Sequence, residues 1–335
     1  MPETTYRDRR AVACENDQVR VTVLVEGGHI AEILDKASGL NPLWTPPWPS
    51  IEPSHWNAEH YPEYGNDAES RLLSGIMGHN TCIDLFGGPS ETEAASGVTV
   101  HGEASVLPYD LLDSDGGIDC TCYMTRSQLV FRRSIRLDGG RILFHESVEN
   151  LNPWDRPIAW QQHVSLGPPF LENGKTRFAL PGTRSLTYDG DFGDLFCRAI
   201  QFDWPLAPLK GGGDYDLRTF TTRPVSAGYT AHLLDPVLEK AGFRAWSPDG
   251  QVVFGYRWRR SDFPWLGIWE ENRSRQNTPW NGKTIARGME FGVSPQPETR
   301  AAMITRGSLF GVPAFRWIPS HSTVSVDYEA FIGPA

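Results

Sequence analysis

Runs of alternating apolar and polar positions recur along the chain and predict short antiparallel strands. The clearest runs occupy residues 20–25, 128–137, 142–148, 228–234, 251–256 and 324–329. They are rich in β-branched and aromatic residues, which favour strands. Gly-Gly and Asp-Gly pairs at 27–28, 139–140 and 249–250 are typical of the turns that separate such strands. The pattern therefore predicts hairpins and meanders.

Helical periodicity over ten or more residues is missing almost everywhere, and no repeat of fixed length is evident. These absences disfavour propellers and solenoids and leave a large all-β sandwich with few short helices. Residues 41–75 and 205–225 interrupt the pattern and are predicted to be long surface loops. Because no linker divides the chain, we predict one β-sandwich domain over residues 1–335.

Composition supports a globular protein and narrows its partners. The 335 residues are 39% hydrophobic and 21% charged, and the 33 Gly and 26 Pro residues argue against long helices. The net charge is −10, with basic residues in small islands, so we expect no nucleic-acid or membrane partner. The polar N-terminus lacks a signal-peptide core, and no apolar stretch approaches the length of a membrane span. We therefore predict a cytoplasmic protein.

The five cysteines are scattered and lack the spacing of a zinc site or a disulfide framework. Cys120 and Cys122 lie two apart in a predicted strand and share one face. We predict that they are buried free thiols, and we expect no metal.

Aromatic residues are frequent and often stand beside polar ones. The chain has 12 Trp, 10 Tyr and 16 Phe, and Trp269 lies next to two glutamates. A ring beside hydrogen-bonding side chains suits a sugar, whose C–H face packs on the ring while its hydroxyls meet amides and carboxylates. Ordinary core packing is the alternative for any single Trp.

Two predicted strands carry a polar face opposite an apolar one. Alternation places Gln161, His163 and Ser165 on one face of residues 161–166. In residues 287–294 it places Glu290 opposite an apolar face, with neighbouring glycines leaving room for a ligand. Each pattern predicts a strand that lines a cleft, although an ordinary solvent-facing row would look the same.

His79 and His101 also occur in Gly-rich segments at predicted strand ends, and His101 is predicted to face away from Val100. Isolated histidines are more often structural than catalytic. The chain lacks the nucleophile elbow of serine hydrolases, the Walker motif, the dinucleotide fingerprint and the zincin motif. These absences remove support for the corresponding chemistries.

Four short pieces, in order along the chain, resemble the galactose mutarotase-like (aldose 1-epimerase) superfamily. They are the Gly-Gly strand at 27–35, Arg71 before the first His region, the His101-Gly102 pair and Glu290 near the C-terminus. The resemblance implies an antiparallel β-supersandwich with an open sugar cleft on one concave sheet. It also implies interconversion of sugar anomers, with no metal or organic cofactor.

The resemblance further implies roles for individual residues. Glu290 would take the proton of the C1 hydroxyl, and His163, at the position of the family's mid-chain catalytic His, would protonate the ring oxygen. Arg71 and His101 would bind hydroxyls or developing charge. The patterns above add His79, Gln161 and Trp269 as substrate-binding candidates. The partner would be a small sugar or sugar derivative, and the protein a monomer or homodimer.

Some features depart from galactose mutarotases. The sequence around His163 differs from their Asn-His-x-Tyr-Phe pattern, and the segment 265–280 has no counterpart in them. We therefore expect a substrate other than plain galactose. Two alternatives stay open: a non-catalytic carbohydrate-binding module, and a glycoside hydrolase or lyase-type enzyme in which Glu270 or Glu271 pairs with Glu290.

Overall fold

The computed structural model describes residues 4–335, in which strands are far more frequent than helices. The strands are β1 Thr4–Tyr6, β2 Arg9–Glu15, β3 Val19–Leu24, β4 Ile30–Asp35, β5 His79–Asp84, β6 Asp110–Ser114, β7 Gly117–Met124, β8 Leu129–Asp138, β9 Arg141–Asn150, β10 Arg156–Leu166, β11 Arg177–Ala179, β12 Gly182–Thr187, β13 Gln201–Asp203, β14 Leu206–Pro208, β15 Asp214–Asp216, β16 Ser226–Leu234, β17 Lys240–Trp246, β18 Val252–Arg259, β19 Trp265–Asn272, β20 Ile285–Gly292, β21 Ser308–Leu309, β22 Val312–Pro313, β23 Arg316–Ile318 and β24 Thr323–Pro334. The α-helices are α1 Ser70–Leu73, α2 Glu91–Ala95 and α3 Arg300–Arg306, and single 3-10 turns occupy Pro62–Tyr64 and Glu103–Ser105.

Two large antiparallel sheets pack against each other, as the sequence predicts. The first sheet has the order β1-β2-β3-β4-β5-β10-β20-β19-β16-β12-β13, with β23 added to β10. The second has the order β11-β17-β18-β24-β9-β8-β7-β6, and its last four strands form the predicted meander. The strand β10 therefore lies in the middle of the first sheet, between β5 and β20.

The alternation of β10 decides what lies on each side of the first sheet. Val164 and Leu166 are fully buried in the apolar core between the sheets. In β20, Met289 and Phe291 point the same way. The opposite side chains of both strands point away from the core, so the predicted cleft face exists as a face of this sheet.

A buried ion pair lies between the sheets behind β10. Nε of Arg133 donates to Oε1 of Glu146 at 2.7 Å, and both side chains are almost fully buried. Tyr328, Trp160 and Gln162 donate to the same carboxylate at 2.5, 3.0 and 2.6 Å. Burial alone would lower the pKa of Arg133, but the neighbouring Tyr328 and Glu146 raise it. We call these five residues, with His79, the core polar cluster.

His79 belongs to this cluster and faces the second sheet. Its Nε2 donates to Oε1 of Gln162 at 2.9 Å, and its Nδ1 accepts from the Tyr256 hydroxyl at 2.9 Å. Burial, and then the charge of Arg133, lowers the pKa of His79 well below its ordinary value. His79 is therefore a neutral residue of the interior.

The two predicted loops are more ordered than expected. The segment 205–225 contains the hairpin β14–β15, and Leu217 and Phe220 join the core. The segment 41–75 contains α1 and buries Trp44 and Leu73. The prediction of surface loops was wrong here because these apolar side chains anchor both segments to the sandwich.

Cys120 and Cys122 are buried free thiols, as predicted. Among residues 4–335, no helix has the length and apolar character that crossing a membrane requires.

Candidate functional site

The centre of the site is a cross-strand pair on the face of the first sheet that points away from the core. His163 on β10 is directly opposite Glu290 on β20 in the antiparallel register. Nε2 of His163 lies 3.0 Å from Oε1 of Glu290. The two residues that the sequence predicts as acid and base are therefore in contact, although they are 127 positions apart in the chain.

Both side chains are buried, which the sequence did not predict. The Glu290 side chain is only 3% exposed and that of His163 8%. Trp44 and Leu73 of the segment 41–75, and Trp280 after β19, form walls above the sheet, so these strands do not form the solvent-facing row that their pattern left open. A cavity whose lining includes a few convergent polar groups is a candidate ligand site.

Ser165 fixes the orientation of the histidine ring. It lies two residues after His163 on the same face of β10, and its Oγ is 3.2 Å from Nδ1. With Nδ1–H donating to this hydroxyl, the proton that His163 can exchange is the one on Nε2. That nitrogen points to Glu290.

Glycines make the depression in which the Glu290 carboxylate lies. A Cβ at Gly288 would be 2.4 Å from Oε1 of Glu290. A Cβ at Gly267, which is opposite Glu290 on β19, would be 2.1 Å from the Tyr229 hydroxyl. The sequence predicts that Gly288 and Gly292 leave room for a ligand beside Glu290. In the structure the Glu290 carboxylate itself lies in the space beside Gly288, and Gln161 lies beside Gly292, where a Cβ would be 1.8 Å from its Oε1.

His101 joins the pair from a turn rather than from a strand. Its φ is 67°, and both His101 and Val100 line the cleft, so the prediction that they face opposite ways was wrong. Its ring centroid is 4.8 Å from that of His163, and Nδ1–H donates to the Phe86 carbonyl at 2.6 Å. Burial and then the charge of His163 lower the pKa of His101 to about 3. A neutral His101 presents the Nε2 lone pair as an acceptor.

Aromatic rings form the walls of a small cavity above the pair. The cavity has a volume of about 190 Å³. The ring centroid of Trp269 is 5.9 Å from that of His163. Other aromatic residues that line the cavity are Trp44, Phe86, Tyr188, Phe192, Tyr229 and Trp280. The predicted combination of aromatic faces with polar groups is present.

Three predicted substrate-binding residues lie outside this cavity lining. His79 faces the core, as described above. Arg71 donates to the Pro53 carbonyl at 3.2 Å. Gln161 shares the face of His163, but its amide donates to the carbonyls of Glu290 and Ser294 at 3.2 and 2.9 Å. Gln161 therefore holds the backbone of Glu290 in place rather than reaching the cavity.

The glutamates considered for a hydrolase are also outside the lining. Glu270 is on the core side of β19, where it accepts from the hydroxyls of Tyr215 and Ser226 at 2.6 and 2.7 Å. Glu271 is on the cleft side and accepts from the backbone N–H groups of Ser274 and Arg275. Neither carboxylate faces Glu290 across the cavity.

Sequence reasoning missed two charged residues of the lining. Glu69 and Arg275 form an ion pair at 3.1 Å across 206 positions of the chain. The sequence drew attention to the segment 265–280, which contains Arg275, but nothing in it identified Arg275 as a residue of the site. Within residues 4–335, no group of three or more His, Cys, Asp or Glu side chains is arranged to hold a metal ion.

Comparisons with known proteins bear on the fold. No family model and no curated protein matches the chain. Several solved structures do. A galactose mutarotase-like protein from Clostridium acetobutylicum is 14% identical, with a TM-score of 0.66 over 100% of this chain and 98% of that one. A galactose mutarotase related enzyme from Lactobacillus acidophilus is 11% identical, with a TM-score of 0.63 over 96% and 97%.

A GalM/aldose epimerase homologue from C. elegans is 8% identical, with a TM-score of 0.62 over 97% of this chain and 99% of that one. Identities this low establish a shared fold and leave the activity to be argued from the site. The chain has the galactose mutarotase-like β-sandwich fold that its sequence resemblance predicted.

Proposed function

We propose that the protein is an aldose 1-epimerase-type isomerase, which interconverts the anomers of a small sugar by opening and closing its ring. The observation that carries the proposal is the contact between Nε2 of His163 and Oε1 of Glu290 at the floor of the cavity. In a cyclic sugar, the anomeric carbon C1 carries both the hydroxyl and the ring oxygen. A base and an acid that lie side by side can therefore reach both oxygens.

The reaction needs two proton transfers at these residues. Glu290 takes the proton of the C1 hydroxyl while His163 gives its Nε2 proton to the ring oxygen. The bond between C1 and the ring oxygen breaks, and the open-chain aldehyde forms. After rotation about the C1–C2 bond, the ring oxygen attacks the other face of C1, and both protons return. No other co-reactant is required.

Other residues of the site fit supporting roles in this reaction. Ser165 Oγ lies 3.2 Å from Nδ1 of His163. In the proposed mechanism it accepts from Nδ1–H, so that Nε2 is the nitrogen that gives and takes the proton. The neutral His101 accepts a hydrogen bond from a sugar hydroxyl. Trp269 offers an apolar face for the C–H side of the ring.

Size and charge point to a small uncharged sugar. Ligand pockets commonly span about 300–1,000 Å³, and this cavity is smaller, at about 190 Å³. Arg275 lines the cavity, but its guanidinium already pairs with the carboxylate of Glu69. An anionic substrate would have to displace Glu69 to bind Arg275.

Nuclear magnetic resonance exchange spectroscopy at the anomeric protons tests the proposal directly. Purified protein should accelerate exchange between α and β anomers in at least one neutral aldose of a panel that includes glucose, galactose, mannose and xylose. Heat-denatured protein is the blank. Line broadening from binding without exchange, for every sugar, would instead favour a carbohydrate-binding module.

The space beside Gly288 provides a second prediction. Gly288→Ala puts a methyl group 2.4 Å from the present position of Glu290 Oε1 and so displaces the carboxylate. We expect kcat for exchange to fall by up to about 10²-fold, because small misplacements of reacting groups are costly. The matched control is Gly333→Ala in β24, where nothing lies within 4 Å of the new Cβ. Equal rates in the two variants would contradict the placement of Glu290 as the base.

A further inference from the structure

An ion pair spans the outer edge of the cavity. Nη1 of Arg275, in the loop between β19 and β20, lies 3.1 Å from Oε1 of Glu69, which precedes α1. Both residues line the cavity. Their side chains are 23% and 32% exposed, against 8% and 3% for His163 and Glu290. The pair therefore lies between the reacting groups and solvent, at the mouth of the cleft.

The position of Arg275 is fixed by several further contacts. Its guanidinium carbon is 4.2 Å from the ring centroid of Trp280 and 5.0 Å from that of Phe192. Its Nε is 3.6 Å from Oε2 of Glu271. A guanidinium that is stacked on rings and paired with carboxylates loses little further freedom. Arg275 is a fixed part of the wall rather than a mobile surface side chain.

The contacts of Arg275 join separate segments around the mouth. Glu69 comes from the segment 41–75, Phe192 from the loop after β12, and Trp280 from the loop that carries Arg275 itself. Because the cavity behind them is about 190 Å³, a second sugar unit would have to extend outward through the mouth. It would meet the paired side chains of Arg275 and Glu69.

We propose that the Arg275–Glu69 bridge is the specificity determinant that restricts the substrate to free single-ring aldoses and excludes reducing disaccharides. This inference rests on the proposed epimerase function. It assigns a role to Arg275 in the segment 265–280. Removing either side chain of the Arg275–Glu69 ion pair would make room for a second sugar ring and would leave Glu290 and His163 unchanged.

The test compares monosaccharides and reducing disaccharides in four proteins: wild type, Arg275→Ala, Glu69→Ala and the control Arg132→Ala. Arg132 forms an exposed ion pair with Glu149 on the outer face of the second sheet. Anomer exchange gives kcat/KM for glucose and galactose, and for lactose and maltose. We expect the disaccharide-to-monosaccharide ratio to rise by at least about tenfold in both mouth variants and to stay constant in the control.

Two results would overturn the inference: an unchanged ratio in both mouth variants, or a wild type that converts disaccharides as efficiently as monosaccharides. A wild type that exchanges no sugar would contradict the proposed function instead. In that case tryptophan fluorescence titrations with the same sugars measure the ratio of affinities. A tenfold rise in that ratio supports the mouth assignment, whereas a constant ratio or no binding overturns it.

Discussion

Glu290→Gln is expected to lower kcat for anomer exchange by about 10²–10⁴-fold, the usual contribution of a general base. The amide has the same shape as the carboxylate, but it cannot take the proton of the C1 hydroxyl. His163→Asn is expected to cause a loss of similar size, because the ring oxygen then has no acid. Exchange spectroscopy with the best aldose of the panel measures both effects.

The double variant distinguishes a catalytic pair from two independent contributions. If Glu290 and His163 act as one unit, removing both should cost little more than removing either one. Sugar binding, followed by tryptophan fluorescence, should persist in Glu290→Gln because Trp269 and His101 remain in place. A rate within a few-fold of wild type in Glu290→Gln would contradict the assignment of the base.

The alternation of β10 and β20 is what made it predictable from sequence that His163 and Glu290 lie on polar faces lining a cleft, whereas their proposed roles as acid and base follow from the family resemblance. A period of two places His163 with Ser165, and Glu290 opposite Met289, whatever the rest of the fold does. The register that brings the two strands together is not local, since it depends on how the sheet orders β5, β10 and β20. The sequence could name the partners but not their contact.

His79 was predicted from its Gly-rich context at a strand end, and alternation could not have corrected that prediction. Alternation separates two faces of a strand but does not say which face is the core when both carry polar residues. Here Gln162 and His79 are polar and yet face the interior, where the core polar cluster satisfies their hydrogen bonds. A sequence pattern cannot distinguish such a cluster from a cleft.

Glu69 and Arg275 could not be predicted as site residues for a different reason. Neither lies in a strand with a readable pattern, and each is half-buried on a loop or at a helix start. Their pairing depends on two segments that meet only after the sandwich has formed. Long-range ion pairs of this kind have no signature in a single sequence.

The core polar cluster gives the largest expected effect on stability. Glu146→Gln removes the charge that compensates Arg133, while the guanidinium remains buried between the sheets. We expect the free energy of unfolding to fall by about 3–5 kcal/mol, the usual cost of breaking a buried ion pair on one side. Urea denaturation followed by tryptophan fluorescence measures this difference.

The matched control uses the same two strands. Arg132 and Glu149 pair at 2.9 Å on the outer face of β8 and β9, where they are 45% and 33% exposed. Glu149→Gln should therefore cost no more than about 1 kcal/mol. A similar loss in the two variants would mean that burial does not set the energy of the Arg133–Glu146 pair.

A second comparison separates the charge of Glu146 from its hydrogen bonds. In Arg133→Met/Glu146→Met both charges are removed together, so no uncompensated ion remains between the sheets. The double variant should be more stable than Glu146→Gln, although Gln162 and Trp160 lose an acceptor. Because Gln162 precedes His163 on β10, the same loss of hydrogen bonds should lower the exchange rate. A double variant less stable than Glu146→Gln would show that the hydrogen bonds to Glu146, rather than its charge, hold β10 in place.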